Sequence, residues 1–268
     1  MPVKAPRPAP APAYTWTGGY VGGNVGYGWN DQSASFAPND PWIRLLTCGG
    51  TSGTCPPPAS VQIDGALGGL QAGYNWQIDQ KWLLGFEADF DWAGIKGTGT
   101  SNFLIGGFPS NFQATETIKW FGTVRGRVGY LPANNLLLYG TGGLAYGRFS
   151  ENTGLNTVIP GGDALGFNFL CTVGNINVAG AGGTNCFAGK SSRTGVGFTV
   201  GGGAEYRLGP NLSLKAEYLY VNLGRGNTYN VVAQAYDPSL GESPSSFTAA
   251  HSRVDFNVAR VGFNYQFH

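Results

Sequence analysis

The sequence predicts an all-β protein, an eight-stranded antiparallel up-and-down transmembrane β-barrel with four long extracellular loops and short periplasmic turns. Three observations predict it: runs of period 2 with one apolar and one polar face, connections that alternate between short and long, and a composition poor in charge. Charged residues make up 12% of the 268, aromatics 13%, and there are 45 glycines, where an ordinary soluble domain carries roughly 25% charge. Low charge also suits membrane helices. Yet the strongly apolar stretches, such as 136–139, are far shorter than the roughly 20 residues that a spanning helix needs, so a helical membrane protein is excluded.

Taken in order, residues 1–15 alternate proline and alanine and have nothing to bury. They are expected to form a polyproline II tether in the periplasm, leaving 16–268 as the barrel. No apolar h-region follows Met1, so the chain reads as a mature one whose export signal was removed. The first strand, within 16–29, is glycine-rich and weakly phased. The second sets Leu70, Ala72, Tyr74 and Trp76 against Gln71 and Asn75. The third, 82–92, is the clearest: Trp82, Leu84, Phe86, Ala88, Phe90 and Trp92 share one face, while Gly85, Glu87, Asp89 and Asp91 share the other. Only an extended chain separates residues in this way. The fourth, 116–130, opposes Ile118, Trp120, Val124, Val128 and Tyr130 to Lys119, Thr123, Arg125 and Arg127. The fifth, 136–149, is again glycine-rich. The sixth, 194–207, opposes Val196, Phe198, Val200, Ala204 and Tyr206 to Thr199, Glu205 and Arg207. The seventh opposes Leu212, Leu214, Ala216, Tyr218 and Tyr220 to Lys215 and Glu217, and the eighth opposes Val261, Phe263, Tyr265 and Phe267 to Arg260, Asn264 and Gln266.

Tight connections are expected near 78–80, 131–135 and 208–211, and long ones near 30–60, 96–114, 151–192 and 225–252. In a meander across a membrane, odd connections lie on one side and even ones on the other, and outer-membrane barrels keep the tight turns in the periplasm.

A soluble eight-stranded barrel has the same period with the opposite radial polarity. Aromatic residues near the strand ends of the apolar faces favour lipid outside, since they match interfacial girdles. The lipid-facing aromatics are then Trp76, Trp82, Phe86, Phe90, Trp92, Trp120, Tyr130, Phe198, Tyr206, Tyr218, Phe263, Tyr265 and Phe267. The inward set is Glu87, Asp89, Asp91, Glu205 and Glu217 beside Lys119, Arg125, Arg127, Arg207, Lys215 and Arg260. An eight-stranded barrel is about wide enough to be filled by its own side chains. These charges are therefore expected to pair, with Glu87 or Asp89 meeting Arg125 or Arg127; a narrow ion path is the alternative.

The cysteines form two close pairs, Cys48 with Cys55 and Cys171 with Cys186, in Gly/Pro/Thr-rich segments. They read as local loop disulfides of an oxidising compartment; a four-thiolate metal site lacks the C-x2-C spacing and a nearby histidine. Net charge is +1 without a basic cluster, so no nucleic-acid partner is expected. The G-x-G-x-x-A segment at 140–145 lacks a following amphipathic helix and reads as a crowded strand. His251, beside Ser252 and Asp255, is the one internal histidine and reads as solvated loop surface, so no catalytic site, metal or cofactor is expected.

Several segments carry a family likeness: WTGGYVG at 16–22, GLQAGYNWQ at 69–77, KWFGTVRGRVGY at 119–130, YGTGGLAYG at 139–147, LKAEYLY at 214–220 and VGFNYQF at 261–267. Together they resemble the alphaproteobacterial outer-membrane β-barrel family, which contains the immunogenic 25 and 31 kDa surface proteins and haemin-binding relatives. The match covers nearly every strand and none of the long loops. It implies a non-enzymatic, porin-like envelope protein in contact with outer-membrane lipid and lipopolysaccharide, with roles in envelope integrity and surface contact. It also raises peptidoglycan contact through the tether and haemin binding by loops offering His251, Tyr229 and Tyr236; lateral self-association is instead suggested by the aromatic outer faces. One departure is His268 after Phe267, since the family usually ends in an aromatic residue.

Overall fold

The computed structural model describes residues 15–39, 41–48, 55–105, 108–157, 185–233 and 246–267. One antiparallel sheet contains β1 (Gly18–Pro38), β2 (Ala59–Gln77), β3 (Trp82–Ile105), β4 (Phe108–Ala133), β5 (Leu136–Thr157), β6 (Asn185–Arg207), β7 (Leu212–Arg225), β8 (Thr228–Ala233), β9 (Ser246–His251) and β10 (Arg253–Phe267). A short helix, α1 (Pro41–Cys48), follows β1.

Ten strands make a ring of eight. Near the tight turns β10 pairs with both β7 and β1, which closes the wall. Farther up, β8 pairs with β6 and β9 pairs with β1, so the β8–β9 hairpin takes over the places of β7 and β10. β7 and β8 form one path broken at 226–227; β9 and β10 form another broken at Ser252. Gly224, at φ +95°, adopts a backbone that costs other residues about 1 kcal/mol or more. Hydrogen bonds bridge the breaks: Gly226 N–H donates to the Ser252 carbonyl (2.6 Å), and His251 N–H to that of Asn227 (3.0 Å).

The tight connections fall where the sequence places them. The long ones are corrected. β3 and β4 stay paired as far as Ile105 and Phe108, so the expected 96–114 loop is mostly a two-stranded ladder. The expected 30–60 loop holds the end of β1, α1 and the start of β2, and 225–252 holds β8 and β9. Within 151–192, residues 158–184 lie outside the described ones.

The wall changes radial polarity partway up. From the tight turns to Trp29, Trp92, Trp120, Tyr146 and Val196, outward side chains are apolar or glycine, as in the run Trp82, Leu84, Phe86, Ala88, Phe90, Trp92. Two residues farther along β1, β5 and β6, and four farther along β3, the outward positions become Asp31, Arg148, Thr194 and Lys96. Residues 82–92 cover about 33 Å of strand, which at a tilt of roughly 40° is about the 25 Å of a bilayer's apolar band. Inside, the change runs the other way. Charged and amide side chains fill the banded section, whereas Ile63, Ile95, Phe112, Ile118, Phe121, Phe149, Val221, Phe256 and their neighbours form an apolar core above it. The molecule is thus a lipid-type barrel continued upward by a water-type barrel.

Lys119 marks the seam, and its sequence assignment is corrected: it is exposed and faces outward. The register of β4 slips against β5 between Ile118 and Trp120, and against β3 between Trp92 and Ile95. A one-residue slip exchanges the faces of a strand. Ile118, assigned outward with Trp120, is accordingly buried inside.

Candidate functional site

The banded section of the lumen holds Glu87, Asp89 and Asp91 from β3, Arg125 and Arg127 from β4, Glu205 and Arg207 from β6, Lys215 and Glu217 from β7, and Arg260 from β10, all buried. Strict alternation puts them there: each is flanked by residues of the opposite face, so turning the apolar set outward turns every one of these inward. Without Lys119 the two signs are equal in number.

The ion pairs cross the lumen as well as the ladder. Glu87 and Arg125 are register partners and lie 2.5 Å apart. Arg125 also reaches Asp89 (2.7 Å) and Glu217 (3.0 Å). Lys215 holds Glu87 at 2.6 Å. Arg260 meets Asp89, Asp91 and Glu217, each at 2.7 Å. Arg127 bonds to Glu205 (2.9 Å) and stacks over the Tyr139 ring at 4.0 Å. A buried charge without a partner costs several kcal/mol; the shared partners remove that penalty while filling the cross-section.

Two tyrosines belong to the network although the sequence offered no phase for them. Tyr20 donates its hydroxyl to Glu87 (2.8 Å), and Tyr139 donates to Glu217 (2.9 Å). Glycines make their seats: a Cβ on Gly73 would stand 2.4 Å from the Tyr20 hydroxyl, and one on Gly203 would stand 2.7 Å from that of Tyr139. This pairing of inward glycine with inward tyrosine is the signal that could have found them. Arg207 does something different from the other cations. It donates to Gln266 (2.7 Å) and to the Thr15 carbonyl (3.0 Å) and covers the Trp16 ring at 4.3 Å. Trp16 in turn donates to the Asn134 carbonyl and packs with Leu83, Leu131 and Leu137, closing the turn end of the lumen.

The outward face carries Trp76, Trp82, Phe86, Phe90, Trp92, Trp120, Tyr130, Phe198, Tyr206, Tyr218, Phe263, Tyr265 and Phe267. Many touch one another, as in Phe90 stacked on Trp120 at 5.4 Å and Trp82 edge-on to Tyr130 at 5.4 Å. Cys48 and Cys55 are disulfide-bonded at the end of α1. The pairing of Cys171 with Cys186 lies outside the described residues, as do Tyr236 and His268. His251 is corrected: it is buried in the upper section, not solvated, with its Nε2 at 3.3 Å from the Tyr229 hydroxyl. His251 and Tyr229, expected on loops, are therefore residues of strands β9 and β8 in the wall.

Comparison with known proteins agrees with this geometry. Residues 4–267 match the model of the outer membrane protein beta-barrel domain. The 31 kDa outer-membrane immunogenic protein of Brucella melitensis is 35% identical over 98% of this chain and 88% of its own. The 25 kDa outer-membrane immunogenic protein of Brucella abortus is 27% identical over 98% of this chain and 85% of its own. Among solved structures, outer membrane protein OprG from Pseudomonas aeruginosa is 15% identical, with coverage of 94% and 97% and a TM-score of 0.42.

Proposed function

Because this chain belongs to the outer membrane protein beta-barrel domain family, we propose that it is a sealed, non-enzymatic anchor that displays a rigid extramembrane section on the cell surface. The observation that carries this reading is the double filling of the lumen: the ion-pair layer within the apolar band and the phenylalanine-rich core above it. A diffusion pathway needs a continuous wet lumen. Instead, side chains of both polarities occupy the axis in sequence, and Trp16 stands at the turn end.

In this reading the tight turns and residues 1–15 are periplasmic, the compartment in which that segment can contact peptidoglycan. The upper section is extracellular, and the outward aromatics contact lipid and lipopolysaccharide. Lys96, Lys119 and Arg148 sit just beyond the apolar band, at the height of headgroup phosphates, which supports that placement. The flat aromatic wall also suits lateral packing of copies.

Planar-bilayer recording of the purified protein tests the sealed lumen. The expected result is no steady conductance at moderate voltage. A stable open level in wild-type protein, absent from empty-membrane controls, would replace the anchor with a narrow porin.

A further inference from the structure

Above the ion-pair layer, the apolar core contains one polar cluster that the anchor role leaves unused. Glu116 of β4 and Glu151 of β5 are register partners, and His251 of β9 faces them across the lumen. All lie beyond the outward aromatic line, at the level of the polar wall, and therefore outside the membrane-spanning section. Their relative exposures are 0%, 0% and 8%. One donor atom from each falls within 4.8 Å of the others.

The surroundings orient the cluster. His251 Nδ1 is 3.8 Å from Glu151 Oε1. Its Nε2 lies 3.3 Å from the Tyr229 hydroxyl, which is 2.8 Å from Thr153 Oγ1. If Nε2–H donates to Tyr229 and that hydroxyl donates to Thr153, the Nδ1 lone pair is left facing Glu151. The Asn227 backbone N–H supports Glu151 at 3.2 and 3.1 Å. Glu116 is the anomaly: both its carboxyl oxygens are buried without a hydrogen-bond partner. Leaving such a group unsatisfied is costly, and the facing Glu151 adds like-charge repulsion.

We infer that Glu116, Glu151 and His251 form a binding site for a divalent transition-metal ion of the zinc class, which clamps β4, β5 and β9 together. Two carboxylates neutralise the ion, and an imidazole ligand favours zinc-class metals over magnesium or calcium. Three protein ligands, with a water or hydroxide as the fourth, match zinc coordination, and the Tyr229–His251 bond supplies the outer support usual for a ligating histidine. Ligand atoms about 2.0–2.2 Å from a tetrahedral ion stand roughly 3.3–3.6 Å apart, so side-chain rotation has to draw the three inward. Burial and the nearby Glu151 and Asp255 push the Glu116 carboxyl up to about 8, and burial pushes His251 down to about 4, so an ion entering near neutral pH displaces protons mainly from the carboxyls.

The test is zinc titration by calorimetry of the full-length protein, folded in detergent and stripped with chelator. Metal content after gel filtration gives the stoichiometry. One ion per chain is expected, with Glu116→Gln and His251→Asn each weakening binding at least tenfold and Tyr229→Phe weakening it by about tenfold. Far-UV circular dichroism verifies that each variant folds. Cobalt substitution of wild type gives an independent readout, an intense visible band of low-coordinate cobalt. Absence of stoichiometric binding and of the cobalt band in folded wild type, or equal affinity in folded variants, would overturn the site and leave Glu116 as a buried neutral acid.

Discussion

At the scale of single residues, the distinction between Arg125 and Lys119 carries the clearest consequence. Sequence alternation assigned both to the lumen, yet Arg125 bonds to Glu87, Asp89 and Glu217, whereas Lys119 projects outward from the register slip. Arg125→Met should therefore cost about 3–5 kcal/mol, because it strands buried carboxylates. Lys119→Gln should stay within about 0.5 kcal/mol, as surface substitutions do. Urea unfolding of both variants in detergent, followed by tryptophan fluorescence, measures the difference; comparable losses would put Lys119 back in the network. Glu116 supplies a pH test. Its folded value of about 8 lies above the ordinary 4.5, so its contribution to stability is complete below about pH 4.5 and disappears as pH rises through 8. His251 has the opposite sign, since its folded value of about 4 lies below 6.5; it stabilises above 6.5 and ceases to do so as pH falls through 4. Arg193, Asp255 and Tyr229 complete the charged and titratable surroundings of the cluster. Chelator-treated Glu116→Gln should accordingly lose the part of the decline in melting temperature that runs up to pH 8, while keeping the part ending near pH 7 that Glu151, raised to about 7 by burial, contributes, and keeping the acid limb. An unchanged alkaline decline would assign it to another group.

At the scale of elements, β4 explains both the success and the failure of sequence reading. Its lower half alternates without interruption, and Val124, Arg125, Gly126, Arg127 and Val128 take the faces their polarity dictates. One slip then reverses the parity, and a period-2 template carried through it misplaces Ile118 and Lys119 together. The upper halves of β3 and β4 look like loop in sequence because Gly, Thr, Ser and Asn are frequent in 96–114, a composition with weak strand preference. The ladder there is held instead by sparse inward residues such as Ile95 and Phe112. The glycine-rich strands hid Tyr20 and Tyr139 for a related reason, since a strand with glycine on both faces has no contrast to read. The slip also predicts an asymmetry between deletions. Removing Lys119 turns the order inward, outward, outward, inward around Ile118 to Phe121 into regular alternation, so the strand keeps every face. Removing Gly126 reverses one half of the strand against a charged lumen. Far-UV circular dichroism after refolding into detergent should show a β spectrum for the first deletion and none for the second; a folded second deletion would contradict register control by polarity.

At the scale of the whole molecule, the reversal of radial polarity divides one continuous wall into two sections with different solvents. The lower section satisfies its interior by charge pairing and turns apolar groups to lipid; the upper one buries apolar groups and turns polar ones to water. Both rival architectures weighed from the sequence, lipid-type and soluble-type, are therefore present in one barrel at different heights. Because their interiors share few side chains, their local stabilities should separate. Phe112, buried against Phe36, Phe103 and Phe247, tests this directly. Phe112→Ala removes the middle of the upper core and should cost about 3–5 kcal/mol there. Hydrogen exchange in detergent or native membranes should then quicken in the parts of β1 to β6, β8 and β9 beyond Asp31, Lys96, Lys119, Arg148 and Thr194. Amides beside Glu87, Arg125 and Arg260 should keep wild-type protection, because the ring of β1–β7 and β10 closes without help from above. Loss of protection spread evenly over both sections would mean that the barrel unfolds as one cooperative unit, and the upper section could not then be loosened without loosening the lower one.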